Sequence, residues 1–195
     1  MKYLTLPTIA TIALSSQISM AESDDNDASK VSVKITPHIA VQTQKASIYL
    51  GNVVQGEFDG ELTFLVQANN DVVSLSVAAT DLYKGMDVNS RVTPLRLSHQ
   101  GAFIFANGAS PIDGEDNNAT WIGNDSISGF PAMLSEPISF ESSRNGYFDN
   151  EVDVQVRWNI DNPGQAEGEY GGYVTLWAAL DGAKDMASIE IYMDK

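Results

Sequence analysis

The chain has no cysteine among its 195 residues. Thiol nucleophiles, thiolate metal centres and disulfide redox chemistry are therefore excluded, and a domain made for export must be held by burial alone. Histidine is scarce as well. His38 and His99 stand far apart, without the H-x-H or H-E-x-x-H spacing of a zinc site, and no G-x-S-x-G elbow accompanies them. Positive charge is equally thin, with 11 Lys and Arg against 26 Asp and Glu and a formal net charge of −15. A surface so acidic repels phosphate backbones and anionic lipid, which argues against nucleic-acid and membrane-surface partners. No apolar run approaches the ~20 residues of a membrane span, so insertion into a bilayer is not expected. Nor does any stretch longer than about seven residues carry the period of an amphipathic helix.

What is present begins with an export signal over residues 1–21. Lys2 supplies the positive start, "YLTLPTIATIAL" the short apolar core, and Ser19-Met20-Ala21 the small-x-small cleavage pattern. Its removal takes one lysine and moves the charge from −15 to −16. The protein is expected in the periplasm in transit and then outside the cell or on its surface. Residues 22–30, "ESDDNDASK", have nothing to bury and read as a disordered acidic tail. Residues 31–195 read as one domain.

That domain is built from period-two segments. In 151–160, Val152, Val154, Val156, Trp158 and Ile160 fall on one face, with Glu151, Asp153, Gln155, Arg157 and Asn159 on the other. Such alternation predicts a strand with one buried and one wet face. Asn162-Pro163-Gly164 then predicts a turn, with Gly164 at positive φ, and a strand over 172–180 completes a long hairpin. A second hairpin is expected over 62–79 around Asn69-Asn70-Asp71, and a third pairs "TPLRLS" with "AFIFAN" around His99-Gln100-Gly101. Ahead of these, "VSVKITPHIAVQ" alternates on both sides of Pro37, which lacks a ladder donor and marks an edge or a break. Residues 107–137 read as long loops with one short strand near Trp121. The C-terminal "ASIEIYMDK" alternates again. About ten short strands without helices predict an all-β, immunoglobulin-like β-sandwich of Greek-key topology, with a closed barrel as the alternative.

Candidate chemistry is sparse. Asp113, Glu115 and Asp116, in "DGEDNN", offer the oxygen density that calcium favours but lack the order of an EF-hand loop, so a solvated loop is the plainer reading. Trp121 among Gly, Asn and Asp residues offers a plate for a sugar, or else a loop aromatic laid over the core edge. Paired carboxylates are too common in a chain this acidic to mark a glycosidase pair. No cofactor is implied, and the chain reads as non-enzymatic.

The order of segments resembles fimbrial subunits of the chaperone–usher type, in particular the cysteine-free class of the colonisation-factor fimbriae. The likeness rests on the export signal, the strand–Pro–strand segment "VSVKITPHIAV", the early "FLVQANNDVVSLSVAATDL" and the late "GEYGGYVTL". It implies that 31–41 includes a donor strand, with Val31, Val33 and Ile35 as its plugs. The acceptor groove would be lined by Val152, Val154, Val156, Trp158, Val174 and Leu176 of the 151–180 hairpin. Self-assembly follows, with a periplasmic chaperone in transit and a glycan or host surface as a possible receptor. Two departures stand out: Val31 to Ile35 contains no glycine, and 15 residues follow Leu180. That last segment is a candidate to complete the sandwich from within the same chain. The alternative expectation is a monomeric extracellular module that binds a glycan or calcium through 107–137.

Overall fold

The computed structural model describes residues 32–112 and 116–195. The export signal, the acidic tail, Val31, Asp113 and Glu115 lie outside the described residues. The chain divides into two units, the first ending at Ile35 and the second running from Thr36 to Lys195. In the first, Ser32 to Ile35 forms no strand.

The second unit is all-β: fourteen strands and no α-helix among the described residues, where about ten strands were expected. One sheet runs in the order β1 (Ile39–Thr43), β3 (Gly56–Ala68), β12 (Phe148–Ile160), β6 (Arg96–Ala106) and β8 (Asn118–Ala119). The other runs β2 (Ser47–Asn52), β14 (Ala183–Asp194), β13 (Glu169–Leu180), β4 (Val72–Thr80), β10 (Phe130–Ser135) and β9 (Trp121–Ile127). β11 (Ile138–Ser142) pairs with β4 and with β7 (Ala109–Pro111), and β5 (Tyr83–Lys84) pairs with β13. The first order matches A-B-E-D of an immunoglobulin sandwich, and the second matches A′-G-F-C, with the β9–β10 hairpin, which follows D in the chain, added beyond C. The first strand changes sheets as it does in that fold: β1 pairs antiparallel with β3, whereas β2 pairs parallel with β14.

A tyrosine corner confirms the class. Tyr170, near the start of β13, is fully buried and donates its hydroxyl hydrogen to the Ala166 carbonyl at 2.7 Å, while Gln165 Nε2 donates to that hydroxyl at 2.9 Å. This is the bond by which immunoglobulin-like domains pin the corner ahead of their F strand.

Three of the expected hairpins are corrected. β12 does not pair with β13, nor β3 with β4; each pair of strands lies in opposite sheets. Alternation specifies a buried face but not a partner, and an arch across the core buries two such faces as well as a hairpin does. The 162–165 turn forms, with Gln165 N–H bonded to the Asn162 carbonyl at 3.0 Å, but Gly164 does not take a positive φ. "TPLRLS" and "AFIFAN" do not pair either. Half of the first and nearly all of the second belong to the single strand β6, whose register against β12 shifts between Val156 and Trp158. Gly101, at φ 92°, absorbs a bulge there instead of closing a turn.

Residues 107–137 are also more regular than loops. β9 and β10 form an antiparallel hairpin closed by Ser128 and Gly129, at φ 52° and 85°. Two successive positive φ values are those of a type I′ turn, which matches the twist of the flanking strands. The hairpin joins β4 through Ala132, Met133 and Leu134 and so extends that sheet.

Between the sheets lies one continuous core. The predicted inward face of β12 holds, with Val152, Val154, Val156, Trp158 and Ile160 all buried. Trp158 spans the core: its indole N–H, from one sheet, bonds the Thr80 carbonyl of the other at 2.9 Å. Gly60 sits beneath the ring, where a Cβ would come within 2.9 Å of it.

Candidate functional site

The residues named for strand exchange fall into two groups. Val33 and Ile35 are 74% and 77% exposed and belong to no strand. Asn69 holds the chain just after them: it accepts from His38 N–H at 2.7 Å and donates to the Thr36 carbonyl at 2.8 Å. Pro37 falls where a break was expected, directly ahead of β1. The acceptor residues are all buried but do not share a sheet, since Val152 to Trp158 belong to β12 and Val174 and Leu176 to β13. Both strands are flanked on both sides at these positions. Val152 pairs with Phe64 and Ala106, and Val174 pairs with Ala79 and Ile189.

The strand that closes β13 is the chain's own C-terminal segment. β14 pairs with β13 over its whole length, from Glu169↔Asp194 to Leu180↔Ala183, and buries Ile189, Ile191 and Met193. "ASIEIYMDK" thus completes the sandwich in cis.

Of the metal candidates, Asp116 alone lies among the described residues, and it is exposed. Among the described residues no group of three or more His, Asp or Glu side chains is placed to hold a metal ion. His38 is exposed, and His99 stands at the rim of a cleft.

That cleft, of about 570 Å³, opens where the β9–β10 hairpin extends one sheet past β6 of the other. Its apolar lining includes Ala79, Leu97, Ala132 and Met133. Trp121 forms part of one wall, and its orientation is locked by an indole N–H bond to the Ser98 carbonyl at 2.9 Å. Tyr83 lines it too, packed against Phe130 with ring centroids 5.5 Å apart, and Phe130 packs in turn on Tyr173 at 5.4 Å. One ion pair borders the space. Asp81 accepts from Arg96 Nη1 at 2.8 Å with one oxygen and from the Leu97 N–H at 2.8 Å with the other. Burial pushes the Tyr83 phenol above its ordinary pKa and the Asp81 carboxylate adds to this, against an opposing effect of Arg96, so the phenol remains protonated at neutral pH. The Tyr83 hydroxyl, the His99 ring and the Asn124 amide have no hydrogen-bond partner among the described residues. Of the members of this cleft, the sequence reading names His99, without a chemical role, and Trp121, as a plate for a sugar. The Ser-Gly dipeptide between "WIGNDSI" and "FPAMLS" was the overlooked signal, since it marks a hairpin that would carry Trp121 on a strand.

No protein-family model matches the chain, and no curated protein sequence matches it. Solved structures do. The CooA pilin subunit from enterotoxigenic Escherichia coli is 11% identical, over 80% of this chain and 97% of that one, with a TM-score of 0.41. AggA, the major subunit of aggregative adherence fimbriae type I from Escherichia coli, is 12% identical over 83% and 97%, with a TM-score of 0.39. A PapD-like domain of human CEP192 is 12% identical over 86% and 96%, with a TM-score of 0.38. These are likenesses of fold. The first two are of the kind that the sequence resemblance names, fimbrial subunits.

Proposed function

We propose that this protein is an exported, non-enzymatic structural subunit of a surface fibre, and that the segment around Val31, Val33 and Ile35 is a strand it donates to a neighbouring subunit. The observation that carries this reading is a surplus. The sandwich has its own A to G strands, yet ahead of Pro37 stands a further period-two apolar segment whose Val33 and Ile35 are 74% and 77% exposed. Burying such side chains is worth about 1.5–3 kcal/mol each, and an added strand gains main-chain bonds with a register set by its alternate side chains. A contact between a strand on one copy and a groove on the next is head-to-tail and does not close on itself. Because β14 fills the flank of β13, this chain would accept a strand at that flank only if β14 leaves.

The test is a Val33→Asp, Ile35→Asp double variant expressed in the producing organism. Surface fibres containing it, counted by immunogold electron microscopy, should fall at least about tenfold, which needs only about 1.4 kcal/mol of lost association. The melting temperature of the purified protein should stay that of the wild type, because both side chains are exposed. Normal fibre incorporation by the variant overturns the donor reading.

A further inference from the structure

We propose that the cleft between β6 and the β9–β10 hairpin binds a neutral pyranose sugar, an activity independent of strand donation. Its size and its mostly apolar lining around a few polar groups are those of a small-molecule site. The class of ligand follows from what the lining leaves unused. Trp121 is held by its edge to the Ser98 carbonyl, so stacking on its face costs little further ordering. The C–H face of a pyranose is apolar and fits such a plate, while its hydroxyls need donors and acceptors at the margin. Tyr83, His99 and Asn124 supply these, and none has another hydrogen-bond partner among the described residues. Tyr83 remains a donor because its phenol stays protonated.

Charge separates a neutral sugar from an acidic one. Arg96, the only Lys or Arg lining the cleft among the described residues, is paired at 2.8 Å with Asp81, so the site offers no net positive charge to an anion. The surrounding net charge of −15 further disfavours one. A long lipid tail is the wrong shape for a cleft with three unpaired polar groups, because burying them beneath hydrocarbon would leave each without water.

The experiment uses ¹H–¹⁵N correlation spectra of the mature protein, titrated with the methyl pyranosides of glucose, galactose, mannose and N-acetylglucosamine and with lactose. At least one should shift the Trp121 indole N–H and the amides of 96–99 and 121–124, with an apparent Kd of about 1 mM or tighter. Trp121→Phe identifies that indole signal by its loss. A His99→Ala, Asn124→Ala double variant, changed only at exposed side chains, should weaken binding roughly tenfold or more with an unaltered melting temperature. The proposal is overturned if all five sugars leave these signals unmoved at about 10 mM. It is overturned equally if the shifts map elsewhere, if the double variant binds as well as the wild type, or if 3′-sialyllactose binds and the neutral sugars do not.

Discussion

Single residues carry unequal weight here, and Trp158 carries the most. It is fully buried, lies 6.0 Å centroid to centroid from Phe58, and bonds across the core to the Thr80 carbonyl. Truncation would leave both a cavity and an unsatisfied carbonyl. Trp158→Ala should therefore lower unfolding free energy by about 3–5 kcal/mol in urea titrations; a loss within about 0.5 kcal/mol, the range of ordinary surface sites, would contradict this placement. The inward face of β12 was legible because period two is a local property of the chain. The hydrogen bond to Thr80 was not legible, since it joins residues 78 positions apart.

Among the elements, the β9–β10 hairpin decides whether the cleft exists. It is tied to β4 by three residue pairs and turns on Ser128 and Gly129. A β-branched residue at Gly129 would have to hold φ near 85°, which costs about 1–3 kcal/mol. In Gly129→Val, amide hydrogen exchange over 121–135 should quicken while the β12 amides keep their protection. Equal acceleration in both would mean that the hairpin and the core open as one unit. Most of this hairpin was missed because its strands are short and only partly buried, β9 is rich in Gly, Asn, Asp and Ser, and β10 opens on Phe-Pro, so the apolar alternation is faint. The cleft was harder still. Asp81, Tyr83, Arg96 and Asn124 come from separate strands and connections, and nothing local in the chain says that they meet.

For the whole molecule the deciding feature is that β14 closes the sandwich. Burial of Ile189, Ile191 and Met193 contributes on the order of 5–9 kcal/mol at the usual worth of a buried apolar side chain, against a typical total stability of about 5–15 kcal/mol. Deleting 183–195 should abolish cooperative thermal unfolding, and a synthetic peptide of those residues added in trans should restore it. A truncated protein that melts as the wild type does would show that β14 is dispensable. Adding the peptide "SKVSVKIT" instead measures whether the donor segment can take the same place. Restoration by it would identify the β13 flank as an acceptor that β14 ordinarily occupies.

By itself the sequence determined that this protein is all-β and that burial, without any disulfide, must hold it together. It also determined which face of β12 turns inward. These follow from composition and from a two-residue period, which each segment expresses without reference to the others. Only the tertiary structure decided which strands are neighbours. It made arches of two expected hairpins, a single bulged strand of a third, and a closing strand of the C-terminal segment. The reason is physical: an alternating strand gains the same burial from any partner that covers its apolar face, so pairing is settled by the arrangement that covers all the faces at once.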